Sequence, residues 1–402
     1  MLDRFEDARI LMYSHDTFGL GHLRRCRTIA HSLVEDFRGL NVLIVSGATI
    51  AGAFEYRARV DFVKIPSVIK LRNGEYTPLD RHIELHDTLE MRQSIIRHTA
   101  VTFQPDIFIV DKEPLGLKGE VESTLTYLKS RGTRLVLGLR EVMDAPHLLD
   151  AEWKAKGVME KIDRLYDRVW VYGPPDFYDP LVGLDVPDSV RAKMDFVGFL
   201  QRRVAGDEEP DHRPEGDYIL VTTGGGGDGA DLVHDVIHAY QNDASLTHRA
   251  LIVLGPYMPA KQRRKLKRKG GKIPYLEIIE FDNRMEGLIA GAKGVVAMGG
   301  YNTYCEILSF DKPALIVPRV APREEQLIRA RRASELGLID MLLPEEAADP
   351  MLFAAALKAL PNRPPPSAKA GGLRLEGLPH ISEIVGKWLS TAGPGQLSVV
   401  KK

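Results

Sequence analysis

Short apolar runs, each closed by glycine or charge, recur along the chain and alternate with segments of helical spacing. Ala8 to Tyr13, Asn41 to Ser46 (NVLIVS), Val60 to Pro66, Pro105 to Asp111 (PDIFIVD), Arg134 to Glu141 (RLVLGLRE), DRVWVYG and MDFVGFL carry too few polar residues for strands with one wet face. Runs of this kind predict strands buried on both sides, as in parallel sheets. From His22 to Leu33, apolar Leu23, Ile29, Ala30 and Leu33 alternate with polar Arg24, Arg25 and Arg27, the spacing of an amphipathic helix, and Asp150 to Asp167 predicts another. Strand, glycine loop, helix, strand is the opening of a doubly wound α/β domain.

The pattern starts again in the second half. DYILVT (Asp217 to Thr222) runs into TGGGGDGADLVHDVI, and RALIVLGP and YLEIIEF, which ends at Phe281, follow as strands. An apolar run to Met298 then turns at Gly299 and Gly300 into a helix carrying Glu306, and Ala314 to Val317 is the next strand. Between the halves, Gln201 to Gly216 is charged, bears Pro and Gly and lacks periodicity, which predicts a linker and hinge. The expected organisation is a domain over 1–200, the linker over 201–216, a second domain over 217–375, a closing amphipathic helix within 376–390 and a frayed tail over 391–402.

A length of 402 residues suits two such domains and is too long for one ordinary core. The formal charge of -1 leaves no global footprint for nucleic acid. No apolar run is long enough to cross a bilayer, the start lacks the layout of a secretory signal, and the 2 cysteines form no framework; a cytoplasmic setting is expected. The run KQRRKLKRKGGK is either a solvated helix end or a patch that draws anionic lipid.

The chemistry concentrates between Met298 and Gln326. Gly299 and Gly300 precede a helix whose unpaired N–H groups favour an anion, and the loop PRVAPREEQ leads into a second helix start near Glu324. Glu306, about one turn into the first helix, is placed to reach a sugar hydroxyl. Gly224, Gly225 and Gly226 form another phosphate-cradling turn, without the Lys of a Walker loop. A phosphorylated, hydroxyl-rich ligand fits these features.

In the first half, the loop FGLGH lacks the third glycine of a dehydrogenase fingerprint, and Ser46 and Gly47 stand where its acid belongs, so nicotinamide binding is disfavoured. His22 at a helix start suits a general base, with Asp16 as the competing candidate and helix capping or phosphate binding as the plain alternative. Asp111, Arg140 and Glu141, at carboxyl ends of strands, are candidate crevice residues. His82 and His86 share a helix face but have no third ligand at zinc spacing, and no convincing Asp-x-Asp occurs, so neither a metal nor a cofactor is expected.

GGYNTYCEI, then KPALIVP, then REEQ ahead of a helix rich in Ala and Arg, with EFDNRMEGLIAGAKGVV upstream, resemble the donor-binding region of GT-B glycosyltransferases, in particular the family 28-like UDP-GlcNAc transferases that make lipid II. The resemblance implies two Rossmann-like domains facing an interdomain cleft. It implies transfer of a sugar from a nucleotide-diphosphate sugar, such as UDP-GlcNAc, to an acceptor hydroxyl, inverting and metal-independent. The donor site then comprises Gly224, Gly225, Gly226, Phe281, Asp282, Gly299, Gly300, Thr303, Glu306, Arg323, Glu325 and Gln326. Phe281 packs on the base, the Asp282 amide pairs with its edge, and Gln326 reads sugar hydroxyls. Gly19, Gly21 and His22 match the acceptor-side loop, and Arg140 and Glu141 a polar cluster beside it. Lipid-linked sugars are among the candidate acceptors, which implies contact with the inner face of the plasma membrane. A nucleotide-sugar 2-epimerase and a catalytically idle sugar-nucleotide-binding protein are the alternatives.

Overall fold

Strands that are apolar on both faces need helix cover on both sides of a sheet, and most of the predicted strands have interior places, with Val60–Lys64, Met194–Phe196 and Leu276–Ile279 at sheet edges. The computed structural model describes residues 3–4, 7–15, 21–70, 75–79, 82–204, 210–369 and 373–391. The chain divides into two units, Met1–Leu200 with Glu376–Lys402, and Gln201–Leu375.

The first unit runs β1 (Asp3–Arg4), β2 (Arg9–Ser14), α1 (Gly21–Asp36), β3 (Phe37–Arg38), β4 (Asn41–Ser46), β5 (Val60–Lys64), β6 (Val68–Lys70), β7 (Tyr76–Pro78), α2 (Leu85–Phe103), β8 (Ile107–Asp111), α3 (Glu122–Ser130), β9 (Arg134–Arg140), α4 (Pro146–Lys156), α5 (Val158–Leu165), β10 (Arg168–Tyr172), α6 (Asp188–Arg191) and β11 (Met194–Phe196). Seven of these strands form a parallel sheet in the order β11-β10-β9-β8-β2-β4-β5. Every residue of β8 is buried, as the continuous run IFIVD demands.

The second unit runs β12 (Ile219–Thr222), α7 (Ala230–Asn242), β13 (Ala250–Val253), α8 (Ala260–Gly270), β14 (Leu276–Ile279), α9 (Met285–Gly291), β15 (Gly294–Ala297), α10 (Tyr301–Ser309), β16 (Ala314–Ile316), α11 (Glu325–Glu335), β17 (Asp340–Met341), α12 (Pro344–Ala347) and α13 (Pro350–Ala359). Its parallel six-stranded sheet has the order β14-β13-β12-β15-β16-β17. The last helix, α14 (Gly377–Thr391), belongs to the first unit. There Trp388 stacks on Trp170 of β10 at 5.9 Å, and Ser382 Oγ donates to Asp36 Oδ2 at 2.5 Å.

Three local expectations change. The helix expected over Asp150 to Asp167 is two helices, because Gly157 takes a left-handed φ of 58° that closes α4 and restarts the chain in α5. The expected loop after Pro66 holds a short antiparallel pair, β6 with β7. Part of the segment expected as a linker is anchored in the second unit: Arg202, 5% exposed, donates from its backbone N to Ser309 Oγ at 2.8 Å and from Nη2 to Asn302 Oδ1 at 2.6 Å.

The core of the first unit tolerates no added volume at β9. A Cβ on Gly138 would lie 2.0 Å from the Tyr172 hydroxyl on neighbouring β10. Gly138→Ala is therefore expected to destabilise the protein by about 2 kcal/mol through overpacking, read as a lower denaturation midpoint with an unchanged slope.

Candidate functional site

In the first sheet the chain builds outward from β2 through β4 and β5 on one side and from β8 through β11 on the other. Carboxyl ends at such a reversal open a crevice for ligands. Asp111 is the last residue of β8, and α1 begins one loop after β2, so the register of these neighbours brings His22 and Arg25 onto Asp111. His22 Nδ1 lies 2.5 Å from Asp111 Oδ2. Arg25 donates from Nε to Asp111 Oδ1 at 2.7 Å and from Nη2 to Oδ2 at 2.5 Å. The side chains of Arg25 and Asp111 are 2% and 1% exposed, while His22 keeps 19%.

Burial alone would push the Asp111 carboxyl up, but the Arg25 charge and the hydrogen bonds from His22 and Arg25 more than offset it and hold Asp111 well below the usual carboxylate range. An anionic carboxylate only accepts hydrogen bonds, so the 2.5 Å contact requires a proton on His22 Nδ1. That leaves the lone pair on Nε2. Burial lowers the His22 pKa, and Asp111 opposes the shift only in part. The imidazole is therefore neutral at pH 7, with its basic nitrogen on the side away from the carboxylate.

Behind this pair lies a second closed set. Arg92 donates from Nε and Nη2 to the two oxygens of Glu120, each at 2.6 Å, and the Tyr13 hydroxyl donates to Glu120 Oε1 at 2.5 Å. His15, whose pKa burial pushes down to about 3, stands 3.4 Å from the Tyr13 hydroxyl through Nδ1 and meets the His22 ring edge-on at 5.7 Å.

In the second sheet the reversal falls between β12 and β15, and both carboxyl ends turn on glycine. Gly226 has φ +86°, and a Cβ there would sit 2.2 Å from the Leu254 carbonyl. Gly255 approaches the same loop from the end of β13, where a Cβ would lie 2.5 Å from the Gly224 carbonyl. Only glycine allows these backbones to interlock. Gly224 is exposed and Gly225 half-buried, with the Gly225 carbonyl accepting from Tyr257 N at 2.9 Å. After β15, Gly299 takes φ +78° and its carbonyl accepts from Arg329 Nη1 at 3.0 Å, while a Cβ on Gly300 would meet open space at the start of α10.

The third loop of this edge follows β16. Arg319 donates from its backbone N to Gln326 Oε1 at 3.0 Å, from Nη2 to Glu325 Oε1 at 2.5 Å and from Nη1 to Asp228 Oδ2 at 2.8 Å, in the glycine loop of β12. Burial would lower the Arg319 pKa, but the Glu325 and Asp228 carboxylates raise it above its usual value. Thr303 and Arg323 are half-buried, and Glu306 on α10 is 1% exposed. Phe281 is half-buried; the Asp282 side chain turns inward, accepting from Arg284 N at 2.7 Å and standing 3.3 Å from His212 Nδ1.

The structure thus gathers Gly224, Gly225 and Gly226 with Glu325 and Gln326 through Arg319, and Gly299 and Gly300 lie at the end of the intervening strand β15. Gly21 and His22 open α1, whereas Asp16 and Gly19 lie outside the described residues. Arg140, at the end of β9, donates to the Met143 carbonyl at 3.3 Å, and Glu141 is fully buried. Sequence reasoning missed Arg25, treated as part of a polar helix face, and Arg319. Each pairs across the chain, by 86 and 91 positions, which no local spacing reveals. Among the described residues no three His, Cys, Asp or Glu side chains converge as a metal site.

Residues 218–382 match the glycosyltransferase family 28 C-terminal domain. Among solved structures, the chain is similar to the glycotransferase of kitacinnamycin, with 17% identity, a TM-score of 0.64, and coverage of 96% of this chain and 100% of that one. CalG4, the calicheamicin glycosyltransferase, gives 18% identity and a TM-score of 0.61 over 96% and 100% of the two chains. MurG of Acinetobacter baumannii gives 14% identity and a TM-score of 0.58 over 94% and 99%. No curated protein sequence matches. Identities this low speak to fold, and the family match speaks to the second half: the chain has the GT-B glycosyltransferase fold, and its residues 218–382 match the model of the glycosyltransferase family 28 C-terminal domain.

Proposed function

We propose that this glycosyltransferase moves a sugar from a UDP-sugar, such as UDP-GlcNAc, to an acceptor hydroxyl with inversion, and that His22 is its base. The observation that carries the reading is the His22 to Asp111 contact of 2.5 Å, which fixes the proton on Nδ1 and leaves Nε2 to take one. His22 Nε2 accepts the acceptor's hydroxyl proton as that oxygen attacks the anomeric carbon. The bond from that carbon to the β-phosphate oxygen breaks, and its electron pair leaves with UDP. The glycine corners after β12 and β15 offer backbone N–H groups to the diphosphate. Glu306 fixes the ribose and Gln326 the sugar. No metal is assigned, since the sequence offers no Asp-x-Asp.

The face of α8 formed by Lys261, Arg264, Lys265 and Arg268 is exposed, at spacing i, i+3, i+4, i+7. It supports contact with an anionic membrane, where each such charge contributes about 1 kcal/mol.

Three outcomes check this reading. In thermal melts UDP is expected to raise Tm more than other nucleotides; Glu306→Gln loses most of the rise, and His22→Ala keeps it while transfer falls by about 100-fold or more. A new sugar epimer formed without acceptor would identify an epimerase, and saturable binding without turnover an idle protein.

The rate should follow the neutral form of His22. Because its pKa is lowered, transfer holds its plateau through pH 7 and falls only below the ordinary value of 6.5. Asp111→Asn removes a group that raises that pKa, so the acid limb moves to still lower pH, and a limb that moves up counts against His22 as base. Sedimentation with phosphatidylserine vesicles should be lost at high salt and on replacing the four α8 charges by Gln; binding unaffected by both would remove the membrane contact.

A further inference from the structure

Arg319 joins two loops that lie 91 positions apart in the chain. Since β15 lies between β12 and β16 in the sheet, its pairing with Asp228 spans the strand that turns through Gly299 and Gly300 into α10. Asp228 is out of place on chemical grounds. It puts a carboxylate in a glycine loop suited to anions, where like charge repels phosphate.

The two carboxylates on Arg319 differ in how firmly they hold it. The Glu325 side chain is 10% exposed and its contact measures 2.5 Å; the Asp228 side chain is 45% exposed at 2.8 Å. An exposed pair is screened and cheap to exchange, whereas a buried one is not. Arg319 Nε is buried and has no hydrogen-bond partner among the described residues. A guanidinium tethered by one firm partner, with one weak partner and N–H groups that neither contact uses, suits paired phosphate oxygens.

We propose that Arg319 is an ionic latch across the donor loops: it receives the diphosphate of the sugar nucleotide and releases Asp228 in exchange, while Glu325 keeps it in place. The proposal rests on the nucleotide-sugar reading. It assigns Asp228 the role of counter-charge, so that removing Asp228 strengthens binding.

Calorimetric titration of UDP and of uridine into the wild-type protein, Arg319→Gln and Asp228→Asn tests it. Arg319→Gln is expected to weaken UDP by about tenfold or more and leave uridine unchanged, as for a lost hydrogen bond to a charged group. Asp228→Asn should tighten UDP by about threefold, the scale of an exposed pair. Equal losses for UDP and uridine in Arg319→Gln, or weaker UDP binding in Asp228→Asn, would show a merely structural clasp and overturn the latch. Asp228→Asn changes an exposed side chain and carries the test even where Arg319→Gln fails to fold. A wild-type protein that binds no UDP overturns the donor reading itself, and the latch with it.

Discussion

A carboxylate removed from water stays charged only when its oxygens are claimed by donors, and Asp111 meets that condition with three hydrogen-bonding contacts from two side chains. The consequence reaches beyond stability. Once Asp111 is held as an anion, the tautomer of His22 follows, and with it the nitrogen that can act as a base. Arg25 sits one turn after His22 on α1, so one helix supplies both partners and its placement against β8 sets their geometry together.

The same constraint recurs at other buried charges among the described residues. Glu120, 3% exposed, is bridged by Nε and Nη2 of Arg92 and capped by Tyr13. In the second unit Arg329, fully buried, holds the Gly299 carbonyl and thereby fixes the turn into α10. Removing one member of such a set leaves a charge without compensation, which costs about 3 to 5 kcal/mol, so these groups act as rigid brackets for the loops around them.

The sheets were legible because buried parallel strands must be apolar throughout, and PDIFIVD and DYILVT have no other stable place. The glycine corners were legible for a related reason, since a run such as TGGGGDG makes sense only where backbones come close. Arg25 was not. Its spacing on α1 is that of a surface position, and only the partner on β8 turns it inward. Arg319 escaped notice for the same reason, as nothing near it in sequence announces Asp228. The break at Gly157 was hidden because α4 and α5 share one amphipathic pattern, and the pattern does not record a left-handed residue between them.

The Arg319 contacts also bear on how a donor sugar is read. Gln326 Oε1 accepts from the backbone N of Arg319 at 3.0 Å, an orientation assigned from that hydrogen bond, so the Nε2 end of the amide is left to donate. Glu325 is committed to Arg319 and can only accept from a hydroxyl with the lone pairs that remain. On the nucleotide-sugar reading, adjacent residues therefore offer one donor and one acceptor to neighbouring hydroxyls. That pairing favours a sugar with two neighbouring hydroxyls within hydrogen-bond reach of these side chains, and an epimer that turns one of them away forfeits one of the two contacts.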